Sequence, residues 1–235
     1  MNNTPAKIKI IVVLIILAVF STVVVSNENA TVALITKTIQ DVTMKSPLND
    51  WAKAAKGNTL ISGTQVKTGQ KSLAVVKFID NSILRVRELS LLTLNGQSAG
   101  QGVLSKTIQL DGGTLGFDVK KQKQNEQFRL TSPTSVASIR GTKGKLSGGR
   151  GNDTLTVTEG LVNLKNNYSN NEIDVPAGFI GFSNQDGTVT SRKATDQELA
   201  DADNTATGDS LHELDLELKG PNGNKKELKI RYKKQ

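Results

Sequence analysis

The chain has 235 residues, a formal net charge of +8, aromatic residues at 4%, one histidine and no cysteine. That count excludes disulfides, thiolate metal sites, cysteine nucleophiles and any histidine cluster for metal binding. The basic residues are scattered and the aromatics too few for base stacking, so nucleic acid is not an expected partner.

At the N-terminus, Lys7 and Lys9 precede an uncharged apolar run over residues 10–25. Its 16 residues, or 18 counted from Ile8 with Lys9 snorkelling, can cross a bilayer with little tilt. The primary reading is an uncleaved signal anchor, with segment 1–26 carrying a transmembrane helix over about 8–25. Lysines before the run leave the N-terminus cytoplasmic and export the rest, which predicts a single-pass inner-membrane protein with a periplasmic C-terminal domain. The alternative is a signal cleaved after Val24-Val25-Ser26, giving a soluble periplasmic or secreted protein, although that tripeptide is not a small-x-small site.

From Ala30 the pattern is short strands and turns. Val32, Leu34 and Ile35 open the first strand, followed by Ile39 and Val42. Pro47-Leu48-Asn49-Asp50 reads as a turn and the following Trp51-Ala52-Lys53-Ala54-Ala55 as one helical turn ended by Gly57, with Trp51 as a core plug. Residues 60–68 are strand-like, punctuated by Gly63 and Gly69. Ala74, Val76 and Phe78 alternate on one face, Asp80-Asn81 turns, and residues 83–86 return as a hairpin. Residues 89–94 form another strand and residues 95–102 a Gly/Ser/Gln loop. Residues 106–110 alternate and stop at Asp111-Gly112-Gly113. Leu115, Phe117 and Val119 alternate next, and residues 120–127 read as an exposed polar excursion.

Thr131-Ser132-Pro133 breaks the pattern, because proline cannot donate to a ladder and holds its predecessor extended. Residues 135–139 suit a tightly packed strand. Leu155 and Val157, Val162 and Leu164, Ile173 and Val175, then Ile180 and Phe182 continue the alternation, with polar turns at 168–171 and 184–187. A glycine precedes alternating apolar residues at Gly113, Gly160 and Gly178, at unequal spacings of 47 and 18. The fold expected is therefore all-β, an irregular β-solenoid-like or two-layer β roll over residues 30–190, with glycines where the chain turns corners. Residues 191–235 form a tail. Thr195 is an N-cap for a short helix to about Asp203, residues 205–210 are linker-like, and Leu214, Leu216, Leu218 face Leu228, Ile230, Tyr232 across a Gly220-Pro221-Asn222-Gly223 turn. That C-terminal hairpin is expected to dock on the parent domain, the other option being an edge for a partner strand.

Chemistry is sparse. His212, the one histidine, reads as a surface residue. Asp80, Asp111 and Asp186 stand beside Asn or Gly in turn sequences, where aspartate bonds its own backbone, and no P-loop spacing exists. Residues 148–156 fit the calcium-binding nonapeptide pattern through Gly149, Gly151 and Asp153, but in one copy; calcium in such arrays sits between copies. The other reading is a Gly-rich hairpin loop with Asp153 entering a strand. Arg140, followed by Gly141 and Thr142, either ties carbonyls across a β layer or faces a groove and binds a partner carboxylate. No catalytic residue and no cofactor are expected.

The combination resembles the FecR domain over about residues 31–190. The residues that carry this are Gly63, Val66 and Thr68, the strand 74–80, and Gly113 with Leu115. They continue through Ser132-Pro133 to Arg140-Gly141-Thr142, then Glu159-Gly160 with Val162, and Pro176-Ala177-Gly178. Asn81 stands where the family has Gly, a mild departure because Asn adopts the same turn conformation. The resemblance implies a non-enzymatic periplasmic domain of solenoid-like strands. In the best-known members this domain relays receptor occupancy to a sigma factor through a cytoplasmic N-terminal region. Six residues before Lys7 are too few for that region, so the expectation is the FecR domain alone. Its structural or partner-binding residues would be Arg140, Gly141, Thr142, Glu159, Gly160, Pro176 and Gly178. The function expected is binding of a periplasmic or membrane protein partner in envelope signalling; the alternative is a glycan- or calcium-binding structural module of the envelope.

Overall fold

The computed structural model describes residues 31–98, 103–149, 151–208, 211–219 and 225–233. The expected N-terminal helix over 8–25 lies outside them. In chain order the first strands are β1 (Thr31–Ile39), β2 (Val42–Lys45), β3 (Ala52–Lys53), β4 (Thr59–Ile61), β5 (Thr64–Thr68) and β6 (Leu73–Phe78). Next come β7 (Ile83–Val86), β8 (Leu91–Ser98), β9 (Val103–Val119), β10 (Gln127–Thr131), β11 (Ser135–Ile139) and β12 (Thr142–Gly148). β13 (Asn152–Glu159), β14 (Leu161–Asn166), β15 (Glu172–Pro176), β16 (Phe179–Asn184) and β17 (Val189–Lys193) precede helix α1 (Asp196–Thr207). A hairpin of β18 (Leu211–Lys219) and β19 (Lys225–Lys233) follows.

The ladder registers sort the first 17 strands into two layers. One layer pairs β4, β1, β6, β7, β9, β12, β13, β16 and β17 in spatial order. The other pairs β3, β2, β5, β8, β9, β10, β11, β14 and β15. Every pairing is antiparallel except β9 with β10. Strands β3, β4, β15 and β17 remain edges, so neither layer closes into a barrel. The layers pack face to face: Phe78 of the first meets Phe128 of the second edge-on, with ring centroids 5.2 Å apart.

Period-two alternation explains the core. Ala74, Val76 and Phe78 are buried, as are Leu84 and Val86, Leu115 and Phe117, Leu155 and Val157, and Val162 and Leu164. β9 belongs to both layers. Residues up to Gly112 pair with β8, those from Gly113 onward pair with β12, and the chain bends between them. Asp111-Gly112-Gly113 therefore does not stop a strand; it lets one strand change layers, with Gly113 at φ +109°. Other sequence expectations also change. Residues 52–53 form a strand rather than a helical turn, because Met44 and Thr43 offer them a ladder. Trp51 is 43% exposed and plugs nothing. β8 runs through the expected loop as far as Ser98, and Val189–Lys193 adds a strand that the sequence reading omitted.

Helix α1 begins at the expected N-cap, Thr195, with a full capping box. The Arg192 guanidinium first, then the Thr195 amide, holds the Glu198 carboxyl down to about 2. The helix runs to Thr207 rather than ending near Asp203, because Ala202, Thr205 and Ala206 bury against the outer face of the first layer. Gly116 makes this approach possible: a Cβ there would collide with the Thr205 carbonyl. Lys145 pairs with Asp201, and Arg85 donates to the Ala206 carbonyl at the helix C-terminus, where cations are favourable. The hairpin is a separate two-stranded sheet with Leu214 opposite Ile230 and Leu216 opposite Leu228. Its pairing partner is itself; the described pairings do not join it to either layer.

Gly116→Ala is expected to lift α1 and destabilise the domain by about 2 kcal/mol, the usual cost of overpacking. Urea unfolding followed by circular dichroism checks this, and an unchanged midpoint would show that the helix contributes little.

Candidate functional site

The registers give the roll two rims. The entry rim is where the described chain begins, because Thr31 pairs with Ile61 and Ala33 with Phe78 at that end of β1. Residues 46–51, 62–63, 79–82, 120–126, 140–141, 160 and 177–178 all turn there. The far rim holds the turns at 69–72, 87–90, 132–134, 167–171 and 185–188, and residues 149 and 151 lie there as well.

Of the residues that carry the FecR resemblance, Gly63, Arg140-Gly141, Glu159-Gly160 and Pro176-Ala177-Gly178 lie on the entry rim, whereas Thr68, Gly113 and Ser132-Pro133 lie at the far end of their strands. Each of the steps 140–141, 160 and 177–178 carries the chain from one layer to the other. Gly160, at φ +85°, stacks on the Gly141-Thr142 step: a Cβ there would lie 2.6 Å from Thr142 Cγ2. The Gly160 carbonyl accepts the Ala177 amide at 2.9 Å, and the Gly178 amide reaches the Val157 carbonyl at 2.9 Å. Gly178 in turn accepts the Ala194 amide. These three steps thus stack as one column of crossovers, with hydrogen bonds joining the 160 and 177–178 steps. Within it Thr142 is buried, Glu159 reaches out to Lys143 at 2.6 Å, and Pro176 ends edge strand β15. Arg140 is exposed, and none of the described hydrogen bonds or ion pairs uses its guanidinium. It borders a shallow cavity of about 220 Å³ lined by Glu126, Phe128, Arg129 and Ile139.

Beside the column lies a feature that the sequence reading missed. Lys106 is 2% exposed and points inward in phase with Ile108 and Leu110. Its Nζ lies 2.7 Å from Asp80 Oδ2, 3.0 Å from Gln122 Oε1 and 5.9 Å from the Phe128 ring centroid. Gln122 donates to the same Asp80 oxygen at 2.8 Å. The excursion over 120–127 is therefore not wholly exposed: Gln122 folds in to complete the network. The signal was available, since Lys106 sits on the apolar phase of an alternating strand. Burial pushes the Asp80 carboxyl up, but hydrogen bonds from Lys106, Gln122 and the Ser82 amide, with the Lys106 charge, outweigh it and leave its pKa below the usual value.

On the far rim Asp153 is buried, its Oδ2 accepting from the hydroxyls of Ser132 and Ser135 on the opposite layer. Its Oδ1 faces Gly148, and Gly149 packs on Gly112. Gly151 stands beside Gln185. The aspartate of the nonapeptide pattern thus joins the layers through Oδ2, while its Oδ1 lies against Gly148 at the base of the glycine loop. Asn166 makes a parallel link, donating to Ser183 at 2.8 Å. Among the described residues no group of three or more His, Cys, Asp or Glu could hold a metal. Asp80, Asp111 and Asp186 do not meet: Asp111 accepts from Gln109 and Asp186 from Thr188, both away from the entry rim.

The family model described as FecR protein matches residues 64–163, so the resemblance read from the motifs holds over that stretch, with Gly63 and Pro176-Ala177-Gly178 outside it. No curated protein matches the chain. Among solved structures, two crystal structures described as "a putative anti-sigma factor" from Parabacteroides distasonis ATCC 8503 align with a TM-score of 0.48 and 10% identity. The alignment covers 57% of this chain and 61% of theirs.

Removing Lys106 leaves a buried carboxylate without its cation, so Lys106→Met is expected to cost about 3 kcal/mol in urea unfolding, with part recovered in the Lys106→Met, Asp80→Asn double variant. Because the folded Asp80 value is depressed, its contribution is present above the unfolded value of about 4 and is lost as pH falls through the folded value. Asp80→Asn should therefore flatten the acid limb of a stability–pH curve. An unchanged acid limb would contradict the network. Asp153→Ala leaves two buried serine hydroxyls without their acceptor and is expected to lower stability by about 2 kcal/mol. Added calcium should leave the melting temperature of the unaltered chain where it is.

Proposed function

We propose that this protein is a membrane-anchored periplasmic FecR-domain protein without enzymatic activity, which binds a protein partner in envelope signalling. The FecR match over residues 64–163 carries this reading. The stacking of the Gly141, Gly160 and Gly178 steps into one column of crossovers supports it, with Arg140 left outward. An exposed guanidinium with five fixed donors is suited to a partner carboxylate. Residues 8–25 are the anchor in this reading, and the domain after them is exported.

The test is to cross-link the tagged chain in intact cells, purify it from envelope fractions and identify what is attached. A membrane or outer-membrane protein recovered with the native chain and lost with Arg140→Ala is the expected result. Arg140→Ala should change stability by no more than about 0.5 kcal/mol, as for other exposed positions. Recovery of no specific protein would overturn the reading, and a large stability loss in the variant would make Arg140 a structural tie instead.

A further inference from the structure

We propose that the entry rim is a membrane-contact surface that rests on anionic phospholipid headgroups. The inference rests on the anchor reading above and adds an orientation to it. Only residues 26–30 separate the apolar run from Thr31. Fully extended, the six steps from Val25 to Thr31 span at most about 20 Å. β1 runs nine residues away from the entry rim, so the far rim lies roughly 25 Å beyond Thr31. A bilayer that holds residues 8–25 therefore lies within about 20 Å of the entry rim, and the far rim meets it only where the domain lies on its side or inverts.

The chemistry of that rim fits a headgroup layer. Leu48, Trp51, Ile79 and Leu161 are 73%, 43%, 66% and 51% exposed, and all four stand on entry-rim turns or at a strand end beside one. Between Ile79 and Leu161 the crossover after β9 brings exposed Lys121 beside Arg140, its backbone against Gly141, with Lys120 and Lys123 next to it in exposed ion pairs with Asp118 and Glu126. Tryptophan favours the membrane interface, where its ring is half apolar and half wet, and each lysine near an anionic surface adds attraction. Nine strands at about 4.8 Å make the rim a strip about 40 Å long, so several such contacts can act at once. The far rim also exposes Leu89 and Tyr168. Apolar exposure alone therefore does not choose between the rims; the short tether favours the entry rim.

Trp51 is the single tryptophan of the chain, so its emission reports on this rim directly. The full chain would be reconstituted into vesicles of phosphatidylcholine with and without phosphatidylglycerol, and brominated lipids used as quenchers. Blue-shifted and quenched Trp51 emission is expected, stronger with phosphatidylglycerol and weakened by Lys121→Glu with Lys123→Glu. Moving the reporter to the far rim with Trp51→Phe and Tyr168→Trp should leave emission unquenched. Carbonate extraction is run in parallel. A chain retained in the bilayer with unquenched Trp51 would overturn the orientation alone; a chain released by carbonate would overturn the anchor and the orientation together.

Discussion

One strand holds the two layers of this protein in register. β9 pairs with β8 and β10 in one layer and, after the bend at Gly112-Gly113, with β7 and β12 in the other. Both layers therefore take their position from a single covalent element. Near its start Lys106 is driven into the core and held by Asp80 from one layer and Gln122 from the crossover loop. Near its end Gly116 admits the helix that covers the first layer. A chain with aromatics at 4% has few large side chains to weld two sheets together. It uses backbone continuity and buried polar bridges at the rims instead: Lys106 with Asp80, Asp153 with Ser132 and Ser135, and Asn166 with Ser183.

Bridges of this kind favour one arrangement over its competitors more than they add raw stability. A buried ion pair gives back much of its attraction in desolvation, yet removing either member leaves an uncompensated charge. Slipping a strand by one residue would turn Lys106 outward and expose Ile108 and Leu110, so the pair and the apolar phase enforce the same register. The crossover column at Gly141, Gly160 and Gly178 depends on that register as well, because its hydrogen bonds run between consecutive layer changes.

Much of this was legible in the residues. Alternation marked β6, β13 and β14, the Asp80-Asn81 turn marked β7, Thr195 marked the helix start, and the spaced Arg-Gly-Thr, Glu-Gly and Pro-Ala-Gly pieces marked the resemblance. What escaped had physical causes. A Gly-Gly pair in an apolar pattern looks the same whether a strand ends or bends, so β9 was read as two elements. Trp51 was assigned to the core for its bulk, but bulk carries no information about which end of a two-residue edge strand it sits on. Lys106 stands on the apolar phase of its alternating strand, which puts it inside, although a charge alone argues for solvent. The helix was read as ending near Asp203 because the residues that prolong it, Thr205 and Ala206, gain from Gly116, nearly ninety positions earlier in the chain.

In the proposed reading the entry rim is the working face: it carries the crossover column, presents Arg140 and lies where a short tether would bring the domain to a membrane. A partner that reaches Arg140 would then do so at the bilayer surface, which favours a membrane protein. The most direct measurement is site-specific photo-cross-linking in living cells, with Arg140 intact and the reactive group placed in turn at Lys121, whose backbone lies against Gly141, and at Tyr168. A discrete protein adduct from position 121 and none from position 168 is the expected result. An adduct from 168 alone, or none from either, would contradict the entry rim as the partner-binding face.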